Sequence, residues 1–270
     1  MTASTMQASR IPLLHAFATV VAVCVSLASA RAGDFDKYCD TDGVNVVLYL
    51  DVTTPYDEID RAALVDGVEK IFGALGDGDR FSIRTIEDAF PNSHRLVDAC
   101  MPFCKSEGFF DDLFSDCTEG VVIEDRRRLQ RDIVAQVSRV AAGSRELENS
   151  EIVRTLAMSG GEEFRPGQRN VFFIFSDMIE NSQYLPGRAF LSRTNRDLVS
   201  SLAKDRLVPD FHEATVVVFG VGRKGNPDAR DPLEQKKIAK IVDFWDAFFS
   251  LAGASMTWQP NLGSLAQLDH

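Results

Sequence analysis

Positive charge is in short supply in this 270-residue chain: 29 Lys and Arg stand against 40 Asp and Glu, a net charge of −11 at pH 7. A surface of that sign repels a phosphate backbone, which excludes generic nucleic-acid binding. Histidine is rare as well, and none of His15, His94, His212 and His270 sits in a nucleophile or zinc motif. There is no internal repeat, heptad run or low-complexity tract, so coiled-coil, collagen-like and broadly disordered chains are excluded. Glycines cluster at Gly160-Gly161 and Gly220-Val221-Gly222 without the GxGxxG spacing of a dinucleotide loop, and residues 222–225 read as a turn. What is abundant is core material: 45% hydrophobic residues, with 19 Phe. A packed globular interior follows, and the aromatic content needs no ligand to account for it.

The N-terminus has its own logic. Residues 1–10 are polar with one Arg, residues 11–27 (IPLLHAFATVVAVCVSL) are almost wholly apolar, and Ala28-Ser29-Ala30 follows. That order predicts a secretory signal cleaved after Ala30, a periplasmic or secreted protein, and no stable membrane insertion afterwards. An uncleaved anchor is the competing reading, because about 20 apolar residues match the bilayer core. His15 and the small-residue ending favour cleavage, and Val23 is not the small residue expected ahead of a lipidated Cys24. Cleavage leaves 28 basic against 40 acidic residues, a net charge of −12, and turns five cysteines into four. Cys39, Cys100, Cys104 and Cys117 can form two disulfides in three pairings. The Cys100-x3-Cys104 spacing is not that of a zinc site. Three of the four lie in a loop-rich stretch over 100–117, where closing a short loop is worth about 3 kcal/mol.

In the mature chain, near-continuous apolar runs at 45–50 (NVVLYL), 171–175 and 215–219 predict strands buried on both faces, as in a parallel sheet. Residues 81–86 alternate more and are expected beside the first strand, nearer an edge. Between the runs the period becomes helical. Leu64, Val68, Ile71, Phe72 and Leu75 form one stripe, and Leu129, Ile133, Val137 and Val140 another within a helix over about 124–142. Asp231-Pro232 resembles a helix start, after which Ile238, Ile241, Val242, Trp245 and Phe248 form an apolar face up to a stop at Gly253 and a last strand near 255–258. Trp245, Phe248, Phe249 and Trp258 are expected in helix-on-sheet packing. Arg126-Arg127-Arg128, flanked by Glu124, Asp125 and Asp132, reads as a solvated helix face. The predicted class is α/β, a three-layer Rossmann-like, mainly parallel sheet flanked by helices. Residues 31–43 form an N-terminal extension, 44–260 one domain with a cysteine-containing insertion at about 95–120, and 261–270 a tail.

Two strands end in chemistry. The first runs into LDVTTPYD (50–57), and the second into SDMIE (176–180). Carboxylates at the C-terminal ends of parallel strands stand where open α/β sheets hold ligands. Thr54, Pro55 and Asp57 also fit an N-cap, an N1 proline and a capping box, leaving Asp51 and Thr53 for the crevice.

At these residues the chain resembles the von Willebrand factor A-like domain family, over about 44–258. The resemblance implies a Rossmann-type sheet whose top face holds a divalent cation through an Asp-x-Ser-x-Ser motif, a loop Thr and a later Asp. Asp51 falls on the first Asp, Thr53 on the first hydroxyl and Asp177 on the later Asp, while Pro55 stands where the second Ser belongs. Ser144, Ser150 and Thr155 are candidates for the loop hydroxyl, Thr155 inside an expected helix. Mg²⁺ retains waters, so Asp51, Thr53 and Asp177 plus waters make a conceivable, weakened shell; the same residues also serve a metal-free site. The expected function is an exported protein-binding or assembly module whose ligand site is Asp51, Thr53 and Asp177, with another exported or envelope protein as partner. The alternatives are a metal-dependent hydrolase in which Asp51 and Asp177 activate water, and a purely structural component of an envelope complex.

Overall fold

The structure, a computed structural model, describes residues 35–105, 117–221 and 235–259. The expected signal, the Asp231-Pro232 helix start, the turn at 222–225 and the tail at 261–270 lie outside the described residues. In chain order the strands are β1 (Asn45–Asp51), β2 (Arg80–Ile86), β3 (Arg95–Cys100), β4 (Asn170–Phe175), β5 (Thr215–Phe219) and β6 (Ser255–Gln259). The helices are α1 (Glu58–Ala74), α2 (Glu119–Gly143), α3 (Ile152–Glu163), α4 (Gly187–Ser192), α5 (Asn195–Lys204) and α6 (Gln235–Leu251).

The strands form one sheet in the order β3-β2-β1-β4-β5-β6. Every neighbouring pair is parallel except β2–β3. This is the mainly parallel, helix-flanked α/β sheet that the apolar runs predict. Every residue of β1 and β4 is buried, because successive side chains leave opposite faces and both faces are covered. Val46, Leu48 and Leu50 meet Leu64, Val68 and Ile71 of α1 and Ile133 and Val137 of α2. Val47 and Tyr49 meet Leu156 of α3, Leu198 of α5 and Phe244 and Phe248 of α6. Each such buried side chain contributes about 1.5–3 kcal/mol through removal from water.

Several expectations change. Helix α1 starts at Glu58, not after Thr54: Asp57 is its N-cap, and the capping box is completed by Asp60. The reason lies upstream, where the chain is still extended. Val52 N–H donates to the Ile86 carbonyl at the end of β2, and the Tyr56 hydroxyl donates to the Asp51 carbonyl at 2.7 Å. Helix α2 begins at Glu119, earlier than the apolar stripe suggested, with Thr118 as N-cap. Arg126 and Arg128 in it pair with Asp77 and Asp125.

Strand β3 falls within the stretch read as an insertion. It pairs antiparallel to β2, and its Arg95 and Asp98 find charged partners that spacing alone does not reveal. Two disulfides form, Cys39–Cys100 and Cys104–Cys117. The first spans 61 residues and ties the N-terminal segment to β3, worth about 4 kcal/mol by loop closure. Trp245, Phe248 and Phe249 are buried as expected. Trp258 is not: it lies on the edge strand β6 and is 41% exposed. Among the described residues, no helix is long and apolar enough to cross a membrane.

Candidate functional site at the strand ends

β1 and β4 are neighbours with Leu50 opposite Phe175, so their exits leave the sheet side by side. That register brings Asp51, Thr53 and Asp177 together. Asp51 is fully buried and three donors hold it. Its Oδ1 accepts from the Thr53 N–H at 3.0 Å and the Thr53 hydroxyl at 2.6 Å; its Oδ2 accepts from the Ser176 hydroxyl at 2.6 Å. Ser176 Oγ in turn accepts from the Met178 N–H. Asp177 accepts from the Ile179 N–H on Oδ1 and from the Thr54 hydroxyl at 3.0 Å on Oδ2. Thr54, expected as a helix cap, therefore bridges the two strand exits.

The loop hydroxyls separate. Ser144 closes the end of α2, donating to the Ala141 carbonyl and accepting from the Tyr56 N–H. Thr155 lies buried in α3, 3.3 Å from the Ser93 hydroxyl. Ser150 is buried, and its backbone forms a two-way bridge with Asn181.

A feature without a sequence signature crosses next to this group. Residues 144–151 run across the strand exits as a strap. Arg145 N–H donates to the Val52 carbonyl and Leu147 N–H to the Thr53 carbonyl; Ser150 exchanges bonds with Asn181, and Glu151 N–H donates to the Glu87 carbonyl. The strap is thereby fixed to the exits of β1, β4 and β2 in turn, and it presents Arg145, Glu146, Glu148 and Asn149 outward. Beneath it the exit of β4 is shaped by backbone geometry. Met178 has φ of 61°, a left-handed conformation that costs a non-glycine residue about 1–2 kcal/mol, and its carbonyl accepts from the Trp245 indole N–H at 2.9 Å. Gly220, at φ 86°, brings the exit of β5 so close that a Cβ there would lie 3.2 Å from the Ser176 carbonyl oxygen.

Glu180 closes the SDMIE run that follows β4. It is fully buried, and its Oε2 accepts from the Val153 N–H at 2.9 Å, capping α3 from another segment. Burial pushes its pKa up to about 8, against the downward pull of the Ser182 hydroxyl and the N–H groups of Val153 and Ile152. Burial also raises Glu87 at the exit of β2. Glu151, at the strap's end, accepts from the Phe90 N–H.

This donor set makes a closed hydrogen-bonded clamp. Three of the roughly four lone-pair sites of the Asp51 carboxylate accept from the protein's own donors, two on Oδ1 and one on Oδ2. Among the described residues, no group of three or more His, Cys, Asp and Glu side chains is placed to hold a metal ion.

Compared with protein-family models and with curated proteins, the chain finds no match. Among solved structures it is similar to a von Willebrand factor type A protein from Catenulispora acidiphila, with 12% identity and a TM-score of 0.45 over 84% of this chain and 41% of that one. It is also similar to the pilus adhesin SpaC from Lactobacillus rhamnosus GG in its open conformation, with 12% identity and a TM-score of 0.41 over 82% of this chain and 28% of that one. The chain spans less than half the length of either, and the fold assignment rests on its own sheet order and strand directions.

Proposed function

We propose that this is an exported protein-binding or assembly module that meets its partner at the C-terminal ends of the parallel strands. Asp51, Thr53 and Asp177 form the base of that site. The observation that carries the reading is the strap: it is bonded along the strand exits beside the carboxylates and offers Arg145, Glu146 and Glu148 at the surface. A strapped surface carrying charges of both signs suits a polypeptide partner better than a small substrate that must reach Asp51. In a metal-assisted form, Asp51, Thr53 and Asp177 would be the residues to hold a divalent cation such as Mg²⁺, which would supply a positive charge for a partner carboxylate.

The test is affinity capture from the native exported fraction, with and without EDTA, using the wild type, an Arg145→Ala/Glu146→Ala/Glu148→Ala variant and Asp51→Ala. The reading expects a partner lost from the strap variant. Loss with EDTA as well, matched by a heat of Mg²⁺ binding that Asp51→Ala abolishes, supports the metal-assisted form. Partners retained by both variants would point instead to a structural component that docks through other faces.

A further inference from the structure

The two edges of the sheet are built differently. β3 carries Arg95 and Asp98, charges of the kind that discourage strand addition. β6 reads Ser255-Met256-Thr257-Trp258-Gln259 and carries none. Among the described residues nothing pairs with its outer edge, and Trp258 is 41% exposed.

The backbone phase of β6 follows from one bond. Ser255 N–H donates to the Ala214 carbonyl, so Ser255, Thr257 and Gln259 turn their amide groups toward β5. Met256 and Trp258 therefore aim N–H and C=O outward. A second strand running antiparallel about a two-fold axis at Thr257 would meet these groups in phase. Met256 would face the other copy's Trp258 as a hydrogen-bonded pair, Trp258 would face its Met256, and Thr257 would face itself. The pattern is self-complementary: two Met–Trp contacts on one face, a Thr–Thr contact on the other and four backbone hydrogen bonds. Sulfur–aromatic and β-branched cross-strand pairs are favourable, and no like charges meet within the strand.

We infer that β6 is a homodimerisation strand, its partner a second copy of this chain joined antiparallel at Thr257 to make one continuous sheet. The interface is isologous and closes at two copies. Because each copy, counted from residue 31, carries a net charge of −12, association strengthens with added salt.

The experiment uses the full mature chain. At the two-fold axis the Thr257 Cα atoms lie about 4.5 Å apart, within reach of a disulfide, whereas the two Ser255 positions lie about 14 Å apart. Thr257→Cys is expected to yield a disulfide-linked dimer on mild oxidation and Ser255→Cys none. Met256→Pro removes an outward N–H that the protein's own sheet does not use, so near-UV circular dichroism stays native. Sedimentation velocity is then expected to show the dimer weakened by about tenfold or more, from the loss of two of four bonds. A wild type that stays monomeric across the concentration series, equal cross-linking at 255 and 257, or a dimer untouched by Met256→Pro overturns the inference. The first two results also cover an edge occupied by another segment of the same chain.

Discussion

Each end of α3 buries a glutamate, and the two live in opposite surroundings. Glu163, the last residue of the helix, is 1% exposed. It accepts from the Ser82 hydroxyl, from Arg84 Nε at 3.0 Å and from Arg95 Nε at 2.9 Å. Glu180 sits at the helix N-terminus with backbone N–H groups and Ser182 for company, and its pKa is pushed up to about 8. A carboxylate can be buried as an ion when guanidinium groups surround it. Where only N–H groups and a hydroxyl are at hand, burial favours the neutral acid. The Glu163 cluster anchors α3 to β2 and β3, whereas Glu180 couples α3 to the exit of β4 next to the candidate site.

The sharpest way to break this contrast is Glu163→Ala, which removes the buried anion shared by Arg84 and Arg95 and leaves them only Glu162 and Asp98 as partners. A loss of about 3–5 kcal/mol is expected in denaturant unfolding; a loss well under 1 kcal/mol would mean that the cluster is not held as described. Next comes Glu180→Gln, which imitates the protonated acid. Because folding raises this pKa from 4.5 to about 8, the folded protein keeps a proton that the unfolded chain releases. The associated stability is complete below pH 4.5 and is lost as pH rises through about 8. Wild type and Glu180→Gln should therefore unfold alike near pH 4.5, with the variant ahead by up to a few kcal/mol above pH 8. Parallel pH profiles would show that Glu180 does not titrate in this way. The smallest effect belongs to Ser82→Ala, about 1 kcal/mol from one hydrogen bond to Glu163, measurable as a shift in urea midpoint at unchanged m-value.

The contrast also explains what could be read from the chain in advance. β1, β4 and β5 were legible because a strand buried on both faces must be apolar at nearly every position. The stripes of α1, α2 and α6 were legible because a helix on a sheet buries one face. β3 was not: Arg95 and Asp98 look like loop residues until Glu163, 68 positions from Arg95, and Arg80 of β2, 18 from Asp98, are folded against them. Asp51, Thr53 and Asp177 could be selected as strand-end polar groups. The hydrogen-bonded closure of Asp51 depended on Ser176 from the neighbouring strand exit, and the strap beside it is held by backbone-to-backbone bonds that leave no pattern in side-chain types. Thr54 looked like a cap because its sequence fits one; the neighbouring strand exit claimed its hydroxyl instead.

The scarcity of positive charge, the buried strands, the amphipathic helices and the even number of cysteines after residue 30 were fixed by composition and periodicity, which act locally along the chain. Tertiary structure alone decided which cysteines pair, which buried carboxylates meet arginines and which meet only N–H groups, and how the strap crosses the strand ends. These depend on residues far apart in sequence being brought within hydrogen-bond distance, where burial makes each missing partner costly.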